Sequence, residues 1–143
     1  MNRLLFVSCL ILYACPAVID ADEQVPDQLV SVNELMVSAI TPATNTLWGV
    51  EDPQSMEDWQ ELEDAAIVVI ASALLIREGG AGPDDDTWAA DSAWQGFVAD
   101  MIDAAIASRD AVRQRDLDAL LSAGDALYPP CEECHLQFHP DMQ

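Results

Sequence analysis

The chain has 143 residues, of which 26 are acidic and only five are basic, and its net charge at pH 7 is −21. This charge excludes nucleic acid and anionic membrane surfaces as favoured partners, because their phosphates would repel the protein. It is compatible with a basic partner protein, which complementary charge would attract. The alternative is a solvated acidic surface suited to a salty habitat.

Residues 1–14 have the pattern of an export signal. Arg3 supplies a positive charge, and the apolar run that follows is too short to span a membrane as a helix. The run ends in Leu-Tyr-Ala-Cys, which resembles a lipobox and would make Cys15 the first, lipid-carrying residue of the mature chain. Cleavage near Ala17 or Ala21, giving a soluble product, is the alternative. In both cases we expect an exported protein, either periplasmic or anchored to a membrane and facing the periplasm.

Residues 15–27 are predicted to form an acidic linker, and residues 28–143 one all-α domain. Four segments place apolar residues at spacings of three and four, the period of an amphipathic helix, and no strand pattern competes. Four such helices with short loops predict an antiparallel up-down-up-down four-helix bundle. The predicted helices are 29–48, 56–78, a third from Thr87 or Asp91 to Gln114, and a fourth that follows a turn at Arg115 and continues to Phe138.

Local signals refine these boundaries. Pro42 should kink the first helix rather than end it, because the apolar stripe continues beyond it, and Gly49 should be the stop. Ser55 and Asp58 have the spacing of a capping box at the start of the second helix. Residues 65–76 are apolar on nearly all sides, which predicts deep burial.

Near the C-terminus, the sequence Cys-Glu-Glu-Cys-His at 131–135 has the spacing of a c-type haem attachment motif. Each thiol adds across one porphyrin vinyl group to give a thioether. Positions i and i+3 share a helix face, so both sulfur atoms of Cys131 and Cys134 can reach the ring. His135 is then placed as the proximal iron ligand. Both cysteines continue the apolar stripe of the fourth helix, so we expect haem c near one end of the bundle.

Other interpretations of the cysteine pair are weaker. A thiol redox site is expected in a βαβ context, which the pattern does not indicate. A zinc site needs a second ligand pair, and a disulfide across so short a loop stabilises little. The remaining histidine and cysteines of the chain are His139, Cys9 and Cys15.

Met36 is the candidate distal ligand of the iron. In an up-down-up-down bundle the first and last helices are antiparallel neighbours, so Met36 and His135 should lie near the same end. The alternative is that Met36 only fills the core, as methionines on apolar helix faces more often do. The other methionines are less well placed: Met56, Met101 and Met142.

The position of the haem motif in the last helix resembles class II c-type cytochromes, the four-helix family of cytochrome c-prime and its low-spin, methionine-ligated relatives. The first helix is similar to that of exported members in Leu35-Met36, in Ile40-Thr41-Pro42-Ala43 and in Leu47-Trp48. Tyr128 and Phe138, on either side of the motif, fit the family's last helix. The resemblance covers about residues 28–139.

This resemblance implies haem on Cys131 and Cys134, with His135 proximal and Met36 distal. Pro129-Pro130 departs from the pattern, and we expect a kink or a new helical turn there. Cationic partners for the haem propionates are scarce, and Arg77 is the candidate. His139 lies on the same side of the iron as His135, so it is not a sixth ligand.

The leading prediction for the protein is single-electron transfer through a His/Met-ligated iron, without enzymatic activity. The alternative is a five-coordinate haem that binds nitric oxide or carbon monoxide, with Met36 off the iron. A peroxidase is disfavoured because no distal histidine or arginine accompanies Met36. A redox partner protein is expected, and the family resemblance also implies homodimers.

Overall fold

A computed structural model describes residues 29–139, and every regular element in this range is helical, which confirms the all-α prediction. The export signal, Cys15, the linker and Met142 lie outside the described residues. None of the helices in residues 29–139 combines the length and apolar character that a membrane crossing requires. The elements are α1 (Val32–Leu35), a π-helical turn (Met36–Ile40), α2 (Thr41–Trp48), α3 (Met56–Arg77), α4 (Asp85–Ala89), α5 (Ser92–Gln114) and α6 (Leu117–Phe138).

The first helical stretch begins later than predicted. Leu29 is 71% exposed and precedes the helix, so its place in the predicted stripe was wrong. Ser31 is the N-cap: its hydroxyl accepts the N–H of Glu34 at 3.2 Å, and the Glu34 carboxylate accepts the N–H of Ser31 at 2.8 Å. The sequence contains this Ser-x-x-Glu capping box. The apolar residues before it, however, led to a predicted helix start at residue 29.

The helical backbone continues through Pro42 to Trp48, as predicted. It does so through the π-helical turn, in which the carbonyl of Met36 accepts the N–H of Thr41. Pro42 lies in the first turn of α2, where its missing N–H costs little. Gly49 caps the helix end, with its N–H donated to the carbonyl of Asn45 at 2.9 Å.

Helix α3 begins at the predicted capping box, but its burial was predicted wrongly. The segment 65–76 buries one face only, and its apolar outer face is open. The side chains on that outer face are between 39% and 54% exposed: Ile67, Val68, Leu74 and Leu75. An apolar sequence does not by itself provide neighbours on every side.

Asp58, in the first turn of α3, makes the stability of the fold pH-dependent. Its carboxylate accepts the N–H groups of Ser55 and Gln54 at 2.8 Å each. Hydrogen bonds from the Ser55 backbone, the Gln54 backbone and the Ser55 hydroxyl, in that order, lower the pKa of Asp58. A lowered pKa contributes stability above the ordinary carboxyl pKa, and this contribution is lost as the pH falls through the folded-state pKa.

We therefore expect Asp58→Asn to flatten the acid limb of the stability–pH curve, measured by urea unfolding at a series of pH values from neutral to strongly acidic. Glu57→Gln, at an exposed position one residue earlier, is the matched control and should keep the wild-type slope. Equal slopes for wild type and Asp58→Asn would contradict the prediction.

The third predicted helix is two elements. Thr87 belongs to the short α4, whereas Asp91 is the N-cap of α5 and accepts the N–H of Ala93 at 2.8 Å. Helix α5 ends at Gln114, and Arg115 takes the left-handed conformation with φ 53° and ψ 39°. The predicted turn at Arg115 is thus confirmed, although a bulky residue is uncommon in that conformation.

Helix α6 runs unbroken through Pro129 and Pro130, so the new turn expected there is not formed. Each proline lacks the N–H that would donate to the carbonyl four residues earlier. The carbonyls of Asp125 and Ala126 therefore have no such helical donor. Pro130 is buried. The apolar stripe of α6 is confirmed, with Leu120, Gly124, Leu127 and Cys134 buried.

The helices pack around one core. Helix α5 packs against α3 and α6, and α2 packs against the same two helices. The π-helical turn contacts α3 as well. The largest fully buried side chains are Trp94, Leu47, Ile76, Leu120, Leu127, Val69 and Val98.

Candidate cofactor site

Two cavities lie beside the last turns of α6. The larger has a volume of about 490 Å³, and its wall includes α1, the loop before α4 and the end of α6. The smaller, of about 110 Å³, reaches towards α3 and α5. Both are bordered by Met36, Thr41, Cys134 and His135. Cys131 borders the smaller cavity. The fold therefore brings together the four predicted site residues, which are Met36, Cys131, Cys134 and His135.

Both motif cysteines are free thiols, with Cys131 half-buried and Cys134 buried. Burial, and to a lesser extent the neighbouring Cys131, raises the pKa of Cys134 to about 12. Burial also raises the pKa of Cys131. A thiol redox site needs the opposite, a thiolate stabilised by a lowered pKa, so the environment disfavours that interpretation of the pair.

The imidazole of His135 is half-buried beside both cavities. Its ring has no hydrogen-bond partner among residues 29–139, which leaves a ring nitrogen available to a ligand. The backbone carbonyl of His135 accepts the N–H of His139, which caps α6 at 3.0 Å. His139 borders the larger cavity only.

Met36 is the first residue of the π-helical turn and is partly buried against the core. It borders the same two cavities as His135, as the residue count along the two helices predicted. Single π-helical turns often occur at functional sites. Its role as an iron ligand stays a prediction.

The sequence did not identify an aromatic wall at the larger cavity. Trp88 stacks on Trp94 with ring centroids 5.7 Å apart, and Phe138 meets Trp94 edge to face at 5.2 Å. The indole N–H of Trp94 donates to the carbonyl of Ile76 at 3.0 Å. Trp94 and Phe138 lie on predicted apolar stripes. Trp88 comes shortly after three aspartates, and no sequence pattern predicted that it would line a cavity.

The sequence did not predict two further residues at the cavities. Met101, which the sequence placed less well than Met36, borders the smaller cavity together with the motif cysteines. Asp85, which carried no prediction, is buried in the wall of the larger cavity. In both cases it is the packing between helices that decides the position.

Arg77, the predicted partner of the haem propionates, does not lie at the cavities. Its guanidinium lies 3.1 Å from the carboxylate of Glu78, and Arg77 borders neither cavity. The described residues that border the cavities include no arginine. Their only basic side chains are His135 and His139.

No family model, curated protein or solved structure matches the chain. Within residues 29–139, no three histidine, cysteine, aspartate or glutamate side chains are grouped so that they could hold a metal ion. A closed structural zinc site has four such ligands.

Proposed function

We propose that the protein is an exported c-type cytochrome that carries one covalently attached haem and transfers single electrons. One observation carries the proposal. Cys134 and His135 of the motif border the same two cavities as Met36, a residue about a hundred positions earlier, and Cys131 borders the smaller of the two. The motif predicts the haem, and the methionine would supply a second ligand to its iron.

The residues around the cavities suit this cofactor. Two cysteines three positions apart present both sulfur atoms on one face of α6. The larger cavity of about 490 Å³ is within the range usual for cofactor pockets, roughly 300–1,000 Å³. Its aromatic wall of Trp88, Trp94 and Phe138 is apolar, as a porphyrin face requires. Soft thioether and imidazole donors are ligands that haem iron takes in electron carriers.

Each residue then has a stated task. Cys131 and Cys134 would hold the haem as thioethers, His135 would be the proximal ligand and Met36 the distal one. When bound, haem supplies reversible one-electron oxidation and reduction at its iron. The aromatic wall excludes water, and both burial and methionine ligation raise the potential. The chain performs no bond-making chemistry on a substrate, so we propose no enzymatic activity.

The proposed architecture is an antiparallel up-down-up-down four-helix bundle of the class II cytochrome type, with haem near one end. It is supported by the packing, since α3, α5, α6 and the α1–α2 stretch each contact two neighbours in a ring. The short loops between consecutive helices favour antiparallel neighbours.

The proposed location is the periplasm, with Cys15 as a lipid anchor in the lipoprotein alternative. The support is the export pattern of residues 1–14. With 26 acidic residues against five basic ones, a basic redox partner would be attracted to this surface.

Haem attachment is tested by expressing the full chain in a bacterium that matures c-type cytochromes. We expect haem that stays on the polypeptide through denaturing electrophoresis and adds its mass to the mature chain. The double variant Cys131→Ala/Cys134→Ala should lose it completely, because no thioether can form. Glu132→Gln/Glu133→Gln, which keeps the three motif residues, is the matched control and should retain it.

A wild-type chain without covalent haem would overturn the proposal. Covalent haem with a high-spin ferric spectrum and rapid carbon monoxide binding would instead establish the five-coordinate gas binder. A ferric far-red band from sulfur–iron charge transfer supports the electron carrier.

A further inference from the structure

Asp85 is a charged residue buried in the wall of the larger cavity. It is the first residue of α4, and only 3% of it is exposed. It borders the same cavity as Met36 and His135. Burying a carboxylate costs free energy unless it is compensated, so its place beside a cofactor cavity calls for a physical reason.

Both hydrogen bonds that the Asp85 side chain accepts end on one oxygen. Oδ2 accepts the N–H of Val32 and the N–H of Gly82, at 2.8 Å each. Val32 is the first residue of α1, the helix that leads into Met36. Among residues 29–139, Oδ1 has no hydrogen-bond partner. The carboxylate is therefore held in place by two neutral donors, and its charge is not cancelled.

The loop before α4 is shaped around this carboxylate. A Cβ built at Gly82 would lie 2.6 Å from Oδ2, and one at Gly80 would come closer still. The N–H of Ala81 donates to the carbonyl of Val30 at 2.9 Å, which joins the loop to the start of α1. The glycines thus let the backbone enclose Asp85 where any larger residue would displace it.

The cavity wall offers this charge no permanent cation. Its basic side chains among the described residues are His135 and His139, and its other acidic ones are Glu34 and Asp84, which are exposed. Water screens an exposed carboxylate strongly and a buried one weakly. Of the three acids, Asp85 should dominate the electrostatic potential inside the cavity.

We propose that Asp85 is the buried charge that lowers the reduction potential of the haem iron. This inference rests on the proposed function. A nearby carboxylate stabilises ferric iron more than ferrous iron, because the ferric centre carries one more positive charge. The residue thereby offsets part of the rise in potential that methionine ligation and burial produce.

The test is a potentiometric titration of the holoprotein followed by its absorbance. Asp85→Asn keeps a carbonyl oxygen for both N–H donors and removes only the charge. We expect it to raise the ferrous-to-ferric ratio at a fixed ambient potential on the order of tenfold, which is about 59 mV for a one-electron couple. Asp86→Asn, at an exposed position that does not border the cavity, is the matched control and should change the ratio less than about twofold.

The outcomes separate the two proposals. A wild-type chain without covalent haem overturns both. Covalent haem with equal potentials for Asp85→Asn and Asp86→Asn overturns only the role of Asp85. The spectrum also distinguishes charge from positioning, since the sulfur–iron band should persist in Asp85→Asn.

A second variant decides the question if Asp85→Asn does not fold. Asp85→Ser also removes the charge, and its hydroxyl oxygen can still accept an N–H from the loop or from α1. The ferrous-to-ferric ratio should rise, in the same direction as in Asp85→Asn. An unchanged ratio overturns the inference.

Discussion

The variant Met36→Ala is expected to lose the ferric far-red band of sulfur–iron charge transfer and to become high-spin. Met36 borders both cavities together with His135. Alanine leaves no donor atom at this position, so the iron would keep only the histidine as a protein ligand. The same variant should bind carbon monoxide faster than the wild type, because the distal position is no longer filled by a thioether.

The controls for this prediction are two other methionines. Met56 begins α3, is exposed and borders neither of the two cavities, so Met56→Ala should retain the wild-type spectrum. Met101 borders the smaller cavity, and Met101→Leu tests whether it competes as a ligand. We expect Met101→Leu to keep the band. Loss of the band in Met101→Leu, with retention in Met36→Ala, would transfer the distal role to Met101.

Trp94→Ala is expected to lower the free energy of unfolding by about 3–5 kcal/mol, the usual cost of removing a large buried aromatic side chain. Trp94 is 1% exposed and contacts Trp88 and Phe138 through its ring. Truncation also leaves the carbonyl of Ile76 without its indole donor. The cavity opened would join the larger existing one, so haem retention should become sensitive to temperature.

The measurement is urea unfolding of the holoprotein, with wild type and variant compared in the same ferric state. Trp48→Ala is the matched truncation at a side chain that is 42% exposed. Its indole N–H donates to the carbonyl of Gly124 at 2.9 Å, so some loss is expected there too. It should be clearly smaller, because less apolar surface returns to water. A loss at Trp48 equal to that at Trp94 would contradict the account of the core.

Local signals in the sequence predicted local features correctly. Ser55 and Asp58 form the capping box, Gly49 ends the first helical stretch, and the stripe of α6 carries Cys134 into the core. Such features depend on contacts between residues a few positions apart, and the periodicity of the chain records them directly.

Predictions that depended on neighbours were less successful. The outer face of α3 is apolar and yet open, because no other helix covers it in residues 29–139. A kink or a new helical turn was expected at Pro129 and Pro130, but α6 continues through both prolines as one helix, with Pro130 buried. Tertiary packing can hold a helix together across missing hydrogen bonds, which local propensity does not foresee.

The candidate site is divided in the same way. By itself, the sequence determined the helical class, the Cys-x-x-Cys-His motif and the spacing that predicts Met36 near the same end of the bundle as His135. Only the tertiary structure decided what surrounds them: the aromatic wall, Met101 at the smaller cavity, and Asp85 in place of the expected Arg77. The motif consists of five consecutive residues, so the sequence alone reveals it. The electrostatic and apolar environment of the cavity depends on residues from four separate segments, and their meeting is a property of packing alone.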